Sequence, residues 1–475
     1  MNQHGTASPV RESTRGPTLR CRCRVVALVV TALFWGGGCR RSEPESLAPP
    51  PGTTENASTT AKDSSAGSQA SVETTPRLYE VAAEQLLAAR LPPQRCGEGW
   101  IRLFDGHTLF GWTIAGDANW RIEKGAIVVD AGDVGLLCTS LPWRDYELEL
   151  EFQSDPETNS GVFLRTPLQV GDPARECYEV NIAPPDNPFP TASIVQRQKV
   201  EEVIETAETN GWRKMAVRLV GGQLEVRIDD RLAIRYEDPD PIPSGRIGLQ
   251  HNSGRVAFRD IQLRPLGLDS LIDADLTRWT RYPDMNGSFE VNEDGELVVD
   301  GGKTQLETKR TYEDFVLRCR YRLAAEDTNS GIFFRCIPGD EMMGYECQLN
   351  DGIVDGNPLA PLDAGTGAIF RRQPARVVAG RTGDNNVVLL AAQGPQMATW
   401  VNGLQVTDFY DDRQPDENPR RGQRLAPGTI MIQGHDPKTK AWISNFAIAS
   451  DNPGVEKESV ESYDPGRSDA SENSK

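Results

Sequence analysis

At 475 residues with a formal charge of −18, the chain is long enough for two or three domains, each with a hydrophobic core of ordinary size. The acidity excludes a general nucleic-acid binder, because neutralising phosphates takes clustered Lys and Arg. It fits a soluble protein or a partner of neutral or cationic ligands.

Residues 1–39 carry Arg11, Arg15, Arg20, Arg22 and Arg24, then the apolar run 25–35, three glycines and Cys39. So short an apolar run reads as a secretion signal, since a membrane-spanning helix needs about 20 apolar residues. The arrangement resembles a bacterial lipoprotein signal, which implies cleavage before Cys39, lipidation of that cysteine and a membrane anchor in the cell envelope. A plain export signal and an N-terminal membrane anchor are the alternatives, and all three export the rest of the chain. Residues 40–76 are rich in Ser, Thr, Ala, Pro, Glu and Gly, which cannot bury enough surface to offset ordering entropy, so a disordered linker is expected. Residues 77–97 begin with the spacing of a short amphipathic helix, stopped by Pro92 and Pro93, that caps the edge of the first domain. Residues 451–475 are polar and acidic, the composition of a disordered tail.

Between these flanks one stretch occurs twice. Residues 158–165 read TNSGVFLR and residues 328–335 read TNSGIFFR, identical at six of eight positions and 170 residues apart. An alternating strand precedes each copy, and a Tyr-Glu segment follows it (CYEVNI, GYECQLND). Two such matches in matching surroundings read as a tandem duplication, with domains over 98–267 and 268–450. Within each, apolar residues alternate with period two between turn signals; Gly221-Gly222, Asp229-Asp230 and Asn402-Gly403 are hairpin dipeptides. The pattern predicts an all-β fold, two tandem jelly-roll sandwiches whose curved sheets leave a hollow face for ligand.

Six cysteines follow the signal (Cys96, Cys138, Cys177, Cys319, Cys336, Cys347), none in CxxC spacing. A zinc site is therefore not expected, and both disulfides and buried thiols stay open.

The residues able to carry chemistry recur in both copies. Glu179 and Asn181 in YEVNI lie two apart on a strand, hence on one face; their counterparts are Glu346 and Gln348, with Asp351 just beyond. Each carboxylate can act as a base, accept from ligand hydroxyls or hold a cation, or it can simply belong to a solvated strand face. His251 and His435 follow Gln250 and Gln433 at strand ends, with a one-residue offset between copies, and imidazole titrates near neutrality. Glu179, His251, Glu346 and His435 are the catalytic candidates; Gln250 and Gln433 join the binding candidates. Asn159 and Asn329 enter the TNSG strands, as turn-setting or substrate-binding residues. Arg165 and Arg335 end those strands, as clamps on substrate oxygens or as ion-pair partners. One matched His per copy beside carboxylates is a thin metal signal, so a divalent cation stays open and no cofactor is assigned.

Together, FDGHTLFGW (104–112), TNSGVFLR, CYEVNI, NGWRKMAVRL and IGLQHNSGRVAFRDIQL resemble the 3-keto-disaccharide hydrolase family. The second copy resembles it through TNSGIFFR, YECQLND, GAIF (367–370), ATWVNGLQVTDF and IMIQGHDPKTKAWISNFAI. The resemblance implies a concanavalin A-like jelly roll and cleavage, by hydrolysis or elimination, of glycosides and disaccharides oxidised at C3. A non-catalytic carbohydrate-binding surface protein is the alternative. The copies depart differently from the family pattern. The first has Arg227-Ile228-Asp229-Asp230 in place of Trp-x-Asn-Gly, and the second lacks the opening Phe-Asp-Gly. One domain is thus expected to act while the other binds or packs.

Overall fold

A computed structural model of the chain describes residues 81–204 and 211–450. The expected signal with Cys39, the linker, the start of the helical segment and the tail lie outside the described residues. Period-two alternation makes the strands. In Tyr146–Ser154 the side chains of Tyr146, Leu148, Leu150 and Phe152 are buried, whereas Glu147, Glu149 and Glu151 stay partly wet. Phe315–Leu323 repeats this with Phe315, Leu317, Cys319, Tyr321 and Leu323 inside. All three hairpin dipeptides turn the chain as expected. Asp229 and Asp230 (φ +51° and +63°) and Asn402 and Gly403 (φ +50° and +78°) take the left-handed conformations of a two-residue turn.

Each half is a sandwich of one eight-stranded and one five-stranded antiparallel sheet, and the halves share one topology. The first five-stranded sheet runs Trp112–Ala115, Gly135–Thr139, Arg246–His251, Ser160–Thr166, Tyr178–Ile182. The second runs Trp279–Arg281, Thr304–Thr308, Thr429–Gly434, Ser330–Cys336, Tyr345–Leu349. The long sheets match likewise, with Tyr146–Ser154 or Phe315–Leu323 at the centre beside Val256–Pro265 or Lys440–Ser450. These are two tandem concanavalin A-like jelly rolls.

Even the unusual backbone is duplicated. Arg165 and Arg335 (φ +50° and +49°), Gln196 and Arg371 (both +59°), and Asp260 and Asn445 (+48° and +49°) are matched left-handed residues. The first pair marks a bulge: Leu164 and Arg165 stand against Ile247 alone, and Phe334 and Arg335 against Ile430 alone. The bulge breaks the alternation, and that has consequences for both arginines.

The helical expectation needs correcting. Pro92 and Pro93 do not only stop a helix; Ala83–Ala88 ends before them, and Pro93 opens a second helix, Pro93–Glu98. Proline suits a first helical position, where its missing N–H had no partner anyway. Nor does the segment cap the first sandwich alone. Leu86 joins the core of the second, and Leu91 donates its N–H to Asn402 O (3.0 Å), while Arg95 reaches Glu149 of the first (3.1 Å).

The seam between the sandwiches is apolar. Leu389, Ala391, Ala398 and Trp400 of the second lie in the core cluster of the first, and Trp400 packs on Trp143 with centroids 5.7 Å apart. Around this seam Arg376 pairs with Asp105 (2.9 Å), and Ser140 donates to Asp408 (2.6 Å). All six described cysteines are buried free thiols.

Candidate functional site

In the second sandwich Gly331 stands opposite Gln348 and Phe333 opposite Glu346. On the other side Met431 faces Phe333, and beyond it Gln433 pairs with Gln305 and Met431 with Glu307. Opposed residues share a sheet face. Tyr345, Cys347 and Leu349 point into the core, so Glu346 and Gln348 point out of it. The outer face therefore carries a row Gln348–Gly331–Gln433–Gln305, and beside it a row Glu346–Phe333–Met431–Glu307.

The glycine of TNSG now has a reason. A Cβ on Gly331 would lie 2.7 Å from Glu346 Oε1, and one on Gly161 3.1 Å from Glu179 Oε1; only glycine leaves room for the carboxylate to fold over the strand. Held there, Glu346 is pushed up to about 8, first by burial and then by the Asp363 carboxylate, against the pull of Arg420 and Arg371. A carboxyl at this value keeps its proton near neutrality and becomes a base just above it.

Around Glu346 lies a cavity of 540 Å³, walled by Asn329, Phe333, Met342, Tyr345 and Phe370, with Arg371, Arg372, Arg420 and His435 also lining it. The loop bearing Met342 is tied to the sheet. Gln305 accepts from the Met342 N–H (2.9 Å), and Glu307 accepts from the Gly339 N–H (3.1 Å), from the Thr429 hydroxyl (2.6 Å) and from the Tyr282 hydroxyl. Gln348 donates to Asn329 Oδ1 (2.8 Å), and Asn329 donates to Asp363 (2.6 Å). Gln348 and Gln433 are 1% and 6% exposed, yet the Oε1 of each lacks a hydrogen-bond partner. A buried acceptor left unpaired costs about 1–3 kcal/mol, and two of them facing a cavity fit ligand hydroxyls. His435, with its side chain 45% exposed, contacts Asp436 through Nδ1 (3.0 Å).

The first sandwich repeats this frame with different contents. Its rows are Asn181–Gly161–Gln250–Leu136 and Glu179–Phe163–Gly248–Cys138. Leu136, Cys138, Phe163 and Cys177 form an apolar cluster there, packed under Leu168 and Val170. Burial alone pushes Glu179 up to about 7. Asn181 Oδ1 and Gln250 Oε1 are again buried without partners.

The structure thus brings Glu346, Gln348, Gln433, Asn329 and His435 together, and separates others. His251 directly follows Gln250, so strand alternation turns it to the core face of Leu249, where it is 3% exposed; it does not converge with Glu179. His435 stands two residues after Gln433, beyond the strand end, and reaches the cavity. Asn159 bridges Ser253 through its backbone, N–H to O at 2.9 Å. Arg165 and Arg335 are not substrate clamps. The bulge swings each inward, where Arg335 donates to Glu313 O (3.0 Å), Gly394 O (2.7 Å) and Asp314 (2.9 Å), and Arg165 to Arg144 O, Gly221 O, Ile242 O and Asp145. The phenylalanines beside them, Phe163 and Phe333, face out of the main core. Asp351 is also structural: it accepts from the Tyr321 and Thr366 hydroxyls (2.9 and 2.7 Å), away from the cavity.

Sequence reasoning missed Asp363, in the single 3-10 turn Leu362–Ala364, and Arg371, Arg420 and Met342, on loops without periodicity. The available signal was the paired arginines at 371–372 and 420–421 in an acidic chain. Among the described residues no group of three or more His, Cys, Asp or Glu side chains is placed to hold a cation.

A family model described as the 3-keto-alpha-glucoside-1,2-lyase-like domain matches the chain twice, over residues 99–264 and 267–449. A 3-keto-disaccharide hydrolase of Bacteroides thetaiotaomicron is 33% identical over 78 residues, which cover 14% of this chain and only 27% of that curated relative. A solved Parabacteroides distasonis structure described as a candidate glycosyl hydrolase is 16% identical at a TM-score of 0.34, covering 38% of this chain and 99% of its own. A Bacillus subtilis carbohydrate-binding module is 15% identical at 0.25, covering 32% and 95%.

Proposed function

The chain belongs to the 3-keto-alpha-glucoside-1,2-lyase-like family, and from that membership we propose that its second sandwich cleaves glycosides oxidised at C3, with Glu346 as the base. A ketone at C3 acidifies the hydrogen on C2. Glu346 takes that proton, and the C–H electron pair moves into an enolate whose oxygen is stabilised by the Arg420 guanidinium. The enolate then expels the C1 substituent: the C1–O bond breaks, a C1=C2 double bond forms, and His435 protonates the departing oxygen. Water adding across C1=C2 turns the elimination into a net hydrolysis. Gln348, Gln433 and Asn329 hold the sugar's hydroxyls, the first two through their unpaired carbonyls.

The observation that carries this reading is the raised carboxyl of Glu346 beside two unpaired buried amide oxygens, in a cavity of sugar size. The reacting species is the carboxylate, and the carboxyl titrates at about 8, so about a tenth of it is ionised at pH 7. With a 3-keto glucoside of 4-nitrophenol, whose aglycone departs as a stable anion without His435, kcat/KM is expected to rise about tenfold per pH unit below about pH 8 and to level above it. Aglycone release followed from about pH 6 to 9 checks this; a flat or falling profile removes Glu346 as the base.

The first sandwich, its outer face filled by apolar side chains, supports the second rather than turning over substrate. For the leader we propose export and lipid anchoring at Cys39. Cells expressing the chain should incorporate labelled fatty acid into it, and Cys39→Ala should abolish the label; label retained in that variant overturns the anchor.

A further inference from the structure

The turn Ile369–Gln373 is the copy of Ile194–Gln198, closed by the same pair of backbone hydrogen bonds at 2.8–3.0 Å. At its centre Arg371 and Gln196 share a φ of +59°, a left-handed conformation that non-glycine residues seldom adopt. The backbone presents the side chain identically in both copies, and only its chemistry differs. In the second copy that chemistry is a guanidinium on the cavity wall, beside the Phe370 ring (5.3 Å to the centroid).

Among the described residues this guanidinium has no hydrogen-bond or ion-pair partner, unlike its neighbours. Arg372 is engaged with Pro419 O and Arg420 O (3.2 and 2.9 Å), and Arg420 with Met342 O (3.0 Å). Three arginines line the cavity against two carboxylates, Asp363 and Glu346, and Glu346 is largely protonated at neutral pH. The mouth is therefore cationic within a chain of net charge −18. The unpaired amides Gln348 and Gln433 are buried, whereas Arg371 is exposed at the rim, so a sugar held by the amides would leave Arg371 for the part of the glycoside outside them.

Building on the reading of this cavity as a 3-keto glycoside site, we propose that Arg371 binds an anionic group, a carboxylate or sulfonate, on the leaving portion of the substrate. Planar guanidinium forks suit both oxyanions.

The test uses the full chain and the 3-keto glucosides of 4-hydroxybenzoate, 4-hydroxybenzamide and 4-hydroxybenzenesulfonate. The carboxylate is expected to exceed the carboxamide in kcat/KM by about tenfold, an exposed charge-assisted contact, and Arg371→Gln should bring the ratio to about one. That substitution installs the residue the first copy holds on the same turn (Gln196), so the fold is expected to tolerate it; a melting curve verifies this. The sulfonate arm separates charge from carboxylate shape: equal preference means charge, and loss of preference means shape. A wild-type ratio near one, or a ratio that survives in Arg371→Gln, overturns the proposal. Calorimetric binding of the same three compounds reads the preference without turnover. Binding that discriminates without cleavage would sink the catalytic reading alone, and binding that does not discriminate would sink this one.

Discussion

Replacing Glu346 by Gln is expected to lower kcat/KM on a 3-keto glucoside by about 10²–10⁴-fold, the range a positioned general base contributes, while leaving the melting temperature close to that of the wild type. Gln keeps the shape and removes the base. The matching change Glu179→Gln should alter turnover less than about twofold, because the outer face of the first sandwich is filled by Leu136, Cys138, Phe163 and Cys177 under Leu168 and Val170. Rates of aglycone release by the two variants measure the difference. If Glu179→Gln were the inactivating change, the site would belong to the first sandwich and the assignment would fall.

The second large effect is on stability. Arg335 is fully buried at a left-handed bulge, bonded to the carbonyls of Glu313 and Gly394 and to Asp314, which itself accepts from the Gly394 N–H (2.8 Å). Arg335→Ala removes the donor and strands these acceptors beside a charge, a kind of change that costs about 3–5 kcal/mol. Gly428 packs against the Arg335 backbone, where a Cβ would come within 2.3 Å, so the surroundings have little freedom to collapse. Denaturant unfolding followed by fluorescence should show a lower midpoint for the second sandwich. Unchanged stability with weakened binding of substrate would instead restore Arg335 as a ligand clamp.

The contrast between these two residues explains what the sequence could reveal. Strands, hairpins and the duplication were legible, because period-two burial and left-handed turn dipeptides act over a few residues. Glu346 and Gln348 were legible as same-face neighbours for the same reason. Of the two readings of the arginines, the ion pair holds, with Asp145 and Asp314 as partners, and the clamp fails because alternation does not carry across a bulge that no local pattern announces. His251 misled through its offset: one residue along a strand is the other face of the sheet. Asp363, Arg371 and Arg420 come from connections between strands whose paths depend on tertiary packing, so spacing carried no information about them. The difference between the copies, Gln305 and Glu307 against Leu136 and Cys138, was present in the text but has meaning only once the strands are aligned.

The tryptophan seam bears on how such a chain can change. With Trp400 and Leu389 seated in the other half's core, excising either half would uncover an oily strip on the survivor. The duplication has passed from redundancy into mutual dependence. If only the second half turns over substrate, the first can drift at its outer face while remaining a scaffold its sibling cannot discard.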